Sequence, residues 1–163
     1  NEVVTLFLAT STVGIAAGAL LCNRLLRGKI TAKYVALGAC GVSLFLLDLW
    51  WSAPGGLHKA GAYRDVAIFL SDLAGWRAIF DIFAVSACGG LYTIPLYAIL
   101  QSRTHEGERS RIVAGNNILN ALFMVVSSLA ATAMLAYDAK ITEIFLAVAV
   151  VNLFFIALFW RLR

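Results

Sequence analysis

The sequence predicts an all-α integral membrane protein, a bundle of five transmembrane helices. Three observations predict it. Hydrophobic residues make up 61% of the 163 and charged residues 13%, against about 45–50% and about 25% in soluble domains. The mean hydropathy is +0.86. The apolar residues also gather in runs close to the ~20 that cross a bilayer as a helix, at about 3–22, 34–51, 78–100, 112–136 and 144–160.

The first run carries Gly14 and Gly18 in a GxxxG spacing, which lets two helix backbones approach closely. It has no basic leader and no cleavage site, so it is not a signal peptide. The second ends in Trp50 and Trp51, rings suited to the headgroup layer, as are Trp76 and Trp160 at other span ends. Between spans two and three lies the long connection, 52–76, opening with the breakers Pro54, Gly55 and Gly56. Within it Val66, Phe69, Leu70 and Leu73 recur at helical spacing, while Arg64, Asp65 and Asp72 fall off that stripe. A short amphipathic helix follows, either lying in the interface or packed over the mouth of the bundle.

Span three holds Asp81, Val85, Cys88 and Tyr92 on one stripe, which Gln101 closes at the far end. Gly89 and Gly90 loosen this helix and Pro95 removes one of its backbone bonds, so it reads as jointed or statically kinked. A charge-dense hairpin leads to span four, where Asn116 and Asn120 share a face with Ser127 and Asn117 is turned about 100° away. Such amides serve either as interhelical glue, worth about 0.6–2 kcal/mol per bond, or as part of a gate or pathway. Asp48 and Asp81 sit at matching depths near the outer ends of spans two and three. Each either reaches for the interface or lines a pathway, and Arg77, one turn before Asp81, is placed to support it.

Charge sets the expected orientation. Arg24, Arg27, Lys29, Lys33, Arg103, Arg109, Arg111, Arg161 and Arg163 fall on one side, and Lys59, Arg64, Arg77 and Lys140 on the other. The positive-inside rule makes the first side, with the C-terminus, cytoplasmic. The net charge of +4 therefore reports topology and no nucleic-acid partner. A first span that enters from outside also implies upstream helices of the same protein.

No catalytic, cofactor or metal pattern emerges. Around Gly28 and Lys29 the phosphate-loop spacing fails at Ile30 and Asn23. His58 and His105 have no Asp five residues on, so the HxxxxD arrangement of glycerolipid acyltransferases is absent. Cys22, Cys40 and Cys88 are odd in number and dispersed, which reads as small apolar packing. Transport, binding or assembly remain.

Two stretches resemble a known family. GALLCNRLLRGK at 18–29 is similar to the signature loop of the major facilitator superfamily, G-x-L-x-D-R-x-G-R-R, through Gly18, Asn23, Arg24 and Arg27. Asn23 replaces the acidic residue, so the charge-relay role of that acid does not carry over. The stretch 89–126, with GGLYTIPLYAILQ and then RSRIVAGNNILNALFMV, resembles the lysophospholipid transporter branch of that superfamily. It is most similar to the version fused ahead of a bacterial phospholipid acyltransferase. The resemblance implies the last five helices of a twelve-helix inner-membrane carrier. It also implies alternating access, lysophosphatidylethanolamine as the chief substrate, and a partner or fused acyltransferase that reacylates it. A carrier for another small molecule or drug, and a non-transporting anchor for an acyltransferase, are the alternatives. The implied pathway or gate is Asp48, Asp81, Tyr92, Gln101, Asn116, Asn117 and Asn120.

Overall fold

The computed structural model describes residues 2–26, 32, 34–52, 66–105 and 107–161, with Phe159 described by its backbone. Its elements are α1 (Glu2–Leu26), α2 (Val35–Ser52), α3 (Val66–Leu70), α4 (Leu73–Ser102), α5 (Arg109–Ala136) and α6 (Ile141–Arg161). All but α3 are long and apolar enough to cross a membrane, and the chain is a multi-pass membrane protein. Arg27, Lys29, Lys33, Arg163 and the stretch 53–65, with Pro54 to Gly56, His58, Lys59, Arg64 and Asp65, lie outside the described residues.

Lipid tails are as apolar as leucine, so helices associate here through close packing and hydrogen bonds rather than through hydrophobic burial. The α1–α4 contact shows this plainly. Gly14 faces the Phe83 carbonyl and Ser86, and Gly18 lies directly against the Ala87 backbone. From the other side, a Cβ on Gly90 would come within 2.9 Å of the Ile15 carbonyl. The two helices thus run in the same direction, backbone to backbone. The GxxxG of α1 is their meeting surface.

On its other side α4 meets α2 in the opposite direction. A Cβ on Gly38 would stand 2.9 Å from both the Cys88 carbonyl and the Tyr92 amide nitrogen, and Gly41 faces the Cys88 sulfur. The stripe of Cys88 and Tyr92 therefore faces α2. Beyond α2 lies α6, attached by polar groups. Asn152 donates from Nδ2 to the Ala39 carbonyl and to Ser43 Oγ, each at 2.9 Å, and Ser43 donates on to the Ala149 carbonyl at 3.4 Å.

At the end opposite the arginine-rich turns, Val3, Leu49, Phe69 and Ala78 form one buried cluster, with Phe7 and Phe145 packed against it. Phe69 belongs to α3, so this short helix sits over the bundle end, its ring edge-on to Phe7 at 5.5 Å. Leu73, grouped with the Phe69 stripe by its spacing, is instead 84% exposed at the start of α4. Asp72 explains the difference: its carboxylate accepts from the Ala74 amide at 3.2 Å and caps α4. Capping of this kind satisfies an orphan N–H of the first turn. The span begins at Leu73 rather than 78, and Trp76 Nε1 ties it back to the Leu70 carbonyl at 3.0 Å.

α4 continues unbroken through Gly89, Gly90 and Pro95 for 30 residues. At 1.5 Å per residue that is about 45 Å, well beyond the ~30 Å of bilayer hydrocarbon. α5 stands apart. It has no buried residue, and a turn around Asp138, at φ 61°, joins it to α6. Aspartate tolerates that left-handed conformation as single residues at helix ends.

Candidate functional site

Two polar clusters occupy opposite ends of α4. The first begins with Asp48, which α2 brings beside Arg77 of α4. Arg77 donates from Nε to Asp48 Oδ2 at 3.1 Å, and its Nη2 donates to Oδ1. Spacing along the helix had placed Arg77 beside Asp81; the structure turns it to Asp48 on the neighbouring helix instead. The fork of the guanidinium matches both carboxylate oxygens at once, and both partners are partly exposed.

Asp81 is left without that cation. It is 1% exposed and no N–H or O–H donor reaches its oxygens, while its carboxyl lies within hydrogen-bonding reach of that of Asp48. Asp48 and Arg77 both lie within electrostatic reach of it. A charged carboxylate buried in a membrane helix is costly, so this cluster, with one cation for two acids, favours either a proton shared between them or a further positive charge.

The second cluster lies at the arginine-rich end. Asn116 and Asn120, one turn apart on α5, both donate from Nδ2 to the hydroxyl of Tyr97 on α4, at 3.0 and 2.6 Å. A phenolic oxygen has two lone pairs. Both are filled by amides, and the Tyr97 O–H is left to donate elsewhere. Asn117 is exposed and off this node. Gln101 contributes its backbone: its carbonyl accepts from Arg109 Nε and Nη2, at 3.1 and 2.9 Å, and closes the α4–α5 hairpin.

The remaining predicted positions serve packing or stand at the surface. Gly18 and Gly90 make the α1–α4 contact, whereas Gly89 has open space around it. Pro95 is buried within α4. Asn23 and Arg24 are exposed at the end of α1, and Arg27 lies outside the described residues. Cys22 is buried, but Cys40 is exposed. Among the described residues no grouping of His, Cys, Asp and Glu suits a metal ion.

Sequence reasoning missed three residues. Tyr97 is the hub of the second cluster, and its position one turn before Gln101 on an otherwise apolar helix was the available signal. Ser43 and Asn152 were the lone polar residues in the middles of their spans, and they carry the α2–α6 attachment. Beside them a cavity of about 850 Å³ opens between α2, α4 and α6, lined by Ala36, Ala39, Tyr92, Leu96, Asn152 and Ile156 among others.

Comparison with protein-family models, with curated proteins and with solved structures finds no match.

Proposed function

We propose that this chain is the C-terminal part of a major facilitator carrier of the lysophospholipid transporter branch. It moves lysophosphatidylethanolamine from the outer to the inner leaflet of a bacterial inner membrane, for reacylation by a partner or fused acyltransferase on the cytoplasmic side. The carrying observation is the Tyr97 node. α5 has no buried residue, yet two amides on it converge on one hydroxyl of α4. A helix held by a few polar bonds can part from its neighbour and return at low cost, which alternating access requires of a gate. The resemblance over 89–126 supports the same reading, since that stretch contains both halves of the node.

At the other end, Asp48 and Asp81 attract the ammonium of the ethanolamine headgroup as it enters. Asp81, which no N–H or O–H donor reaches, is the acceptor, and Arg77 holds Asp48 in place.

The test is leaflet transfer in vesicles holding the full carrier, with labelled lysophosphatidylethanolamine against a panel of hydrophilic solutes. Asn116→Leu with Asn120→Leu is expected to slow transfer about tenfold, equivalent to ~1.4 kcal/mol on the barrier. Unchanged transfer in that double variant would mean a passive anchor. Uptake of the hydrophilic solutes instead would mean a carrier for other cargo. If Asp48→Asn with Asp81→Asn transports as fast as the parent, the ammonium role is lost.

A further inference from the structure

The cavity between α2, α4 and α6 lies apart from both polar clusters. Its walls are apolar and its dimensions are those of a ligand site, since about 850 Å³ falls within the ~300–1,000 Å³ common for such sites. It runs along α6 from Trp160 to Asn152, a rise of about 12 Å. That is close to the ~15 Å hydrocarbon depth of one leaflet. Its floor is chemically closed: Asn152 Nδ2 is consumed by the Ala39 carbonyl and Ser43 Oγ, and the Ser43 hydroxyl by the Ala149 carbonyl. Neither donor of the Asn152–Ser43 pair is left there to hold a polar ligand, and the Tyr92 phenol is the one further polar group that α4 adds to the lining. The floor suits the methyl end of a hydrocarbon chain.

The mouth has the opposite character. Ala32 and Trp160 line it, and Trp160 is 75% exposed, as befits a ring at the headgroup layer. The next residue, Arg161, is exposed in the last turn of α6. Arg24, Arg103, Arg109 and Arg111 lie at the same end of the bundle, and among the described residues Glu108 alone opposes them. An acyl-length, mostly apolar slot that opens at the arginine-rich end of the bundle, beside Trp160 and its neighbour Arg161, is complementary to one class of molecule that a membrane supplies.

We propose that this cavity is a resident site for an anionic glycerophospholipid, with one acyl chain between α2, α4 and α6 and its phosphate at Arg161. The small wall of Ala32, Ala36 and Ala39 makes room for the chain. Arginine supplies charge-assisted bonds to phosphate oxygens. The inference does not rest on the transport reading, and it holds equally for an anchor or for a carrier of other cargo.

Native mass spectrometry of the full-length protein in mild detergent tests it, with phosphatidylglycerol and phosphatidylethanolamine of identical chains added in turn. One phosphatidylglycerol is expected to stay bound under activation, retained about fivefold over phosphatidylethanolamine, the preference one surface arginine confers. Ala36→Phe, which fills the slot, is expected to lose that lipid. Arg161→Gln alters only an exposed side chain, and is expected to keep one bound lipid while the headgroup preference disappears. Equal retention of both lipids by the parent, or undiminished retention in a helical, monodisperse Ala36→Phe protein, overturns the proposal. So does displacement by lysophosphatidylethanolamine at equimolar amounts, which would make the cavity part of a transport path.

Discussion

The α1–α4 contact and the α4–α5 contact share one helix and are built on opposite principles. Along α1, Gly14, Gly18 and Gly90 bring two backbones together with no side chain between them. Along α5 no residue is buried, and the link to α4 is a pair of amides on one hydroxyl together with the Arg109 fork on the Gln101 carbonyl. The first contact draws on many dispersion interactions that must all be lost together. The second draws on four side-chain hydrogen bonds that competing polar groups can replace one at a time. One face of α4 is thus held by close backbone packing, and the other by polar bonds.

The sharpest way to break the first face is Gly18→Val. Its new Cβ meets the Ala87 backbone, which is not a flexible side chain and cannot swing aside. A loss of about 3 kcal/mol, at the upper end for overpacking, is expected in reversible unfolding in mixed micelles. Gly89→Ala, one residue from the contact and facing open space, is expected to gain up to about 1 kcal/mol from helix propensity. If both variants lose stability equally, the contact is not where the geometry puts it.

Asp81 gives the next largest effect, with the opposite sign. Replacing a buried carboxylate that no N–H or O–H donor reaches by an uncharged amide that can donate to Asp48 should stabilise the fold. Asp81→Asn is expected to raise unfolding stability by about 1–3 kcal/mol, the range for relieving an unsatisfied buried group, while slowing transport. A stability loss would show instead that the carboxylate has a partner in the membrane.

The smallest effect belongs to the second face. Tyr97→Phe removes the acceptor of both amides and should cost only ~1 kcal/mol of stability, given membrane hydrogen bonds averaging about 0.6 kcal/mol. Combined with Asn116→Leu and Asn120→Leu, it should add almost nothing further, because the interactions are shared. Full additivity would mean that the three residues do not form one node.

Hydropathy alone made the five spans legible, since the bilayer's thickness demands long apolar runs whatever their neighbours are. It failed at the start of α4, where Asp72, Arg77 and Asp81 lower the average although Asp72 is there to cap the helix. The amides of α5 stood out because Asn is out of place among Leu and Phe. Their partner Tyr97 did not, because tyrosine is unremarkable in a membrane helix. The Asp48–Arg77 pair could not be read either. It depends on the antiparallel register of α2 against α4, which Gly38 and Gly41 set through contacts that no linear spacing encodes. Arg77 was therefore assigned to its neighbour in sequence rather than to its neighbour in space.

The same glycine contact has a consequence for how the protein is made. Gly18 waits for Ala87, a partner roughly 70 residues later, which at about 5–20 residues per second is several seconds of synthesis. Through that interval the Gly14–Gly18 groove of α1 lacks the α4 backbone that it meets in the folded protein. A chain stalled before Ala87 would leave that groove open to any small-residue helix nearby. The order of translation is thus part of what protects this fold from pairing with the wrong partner.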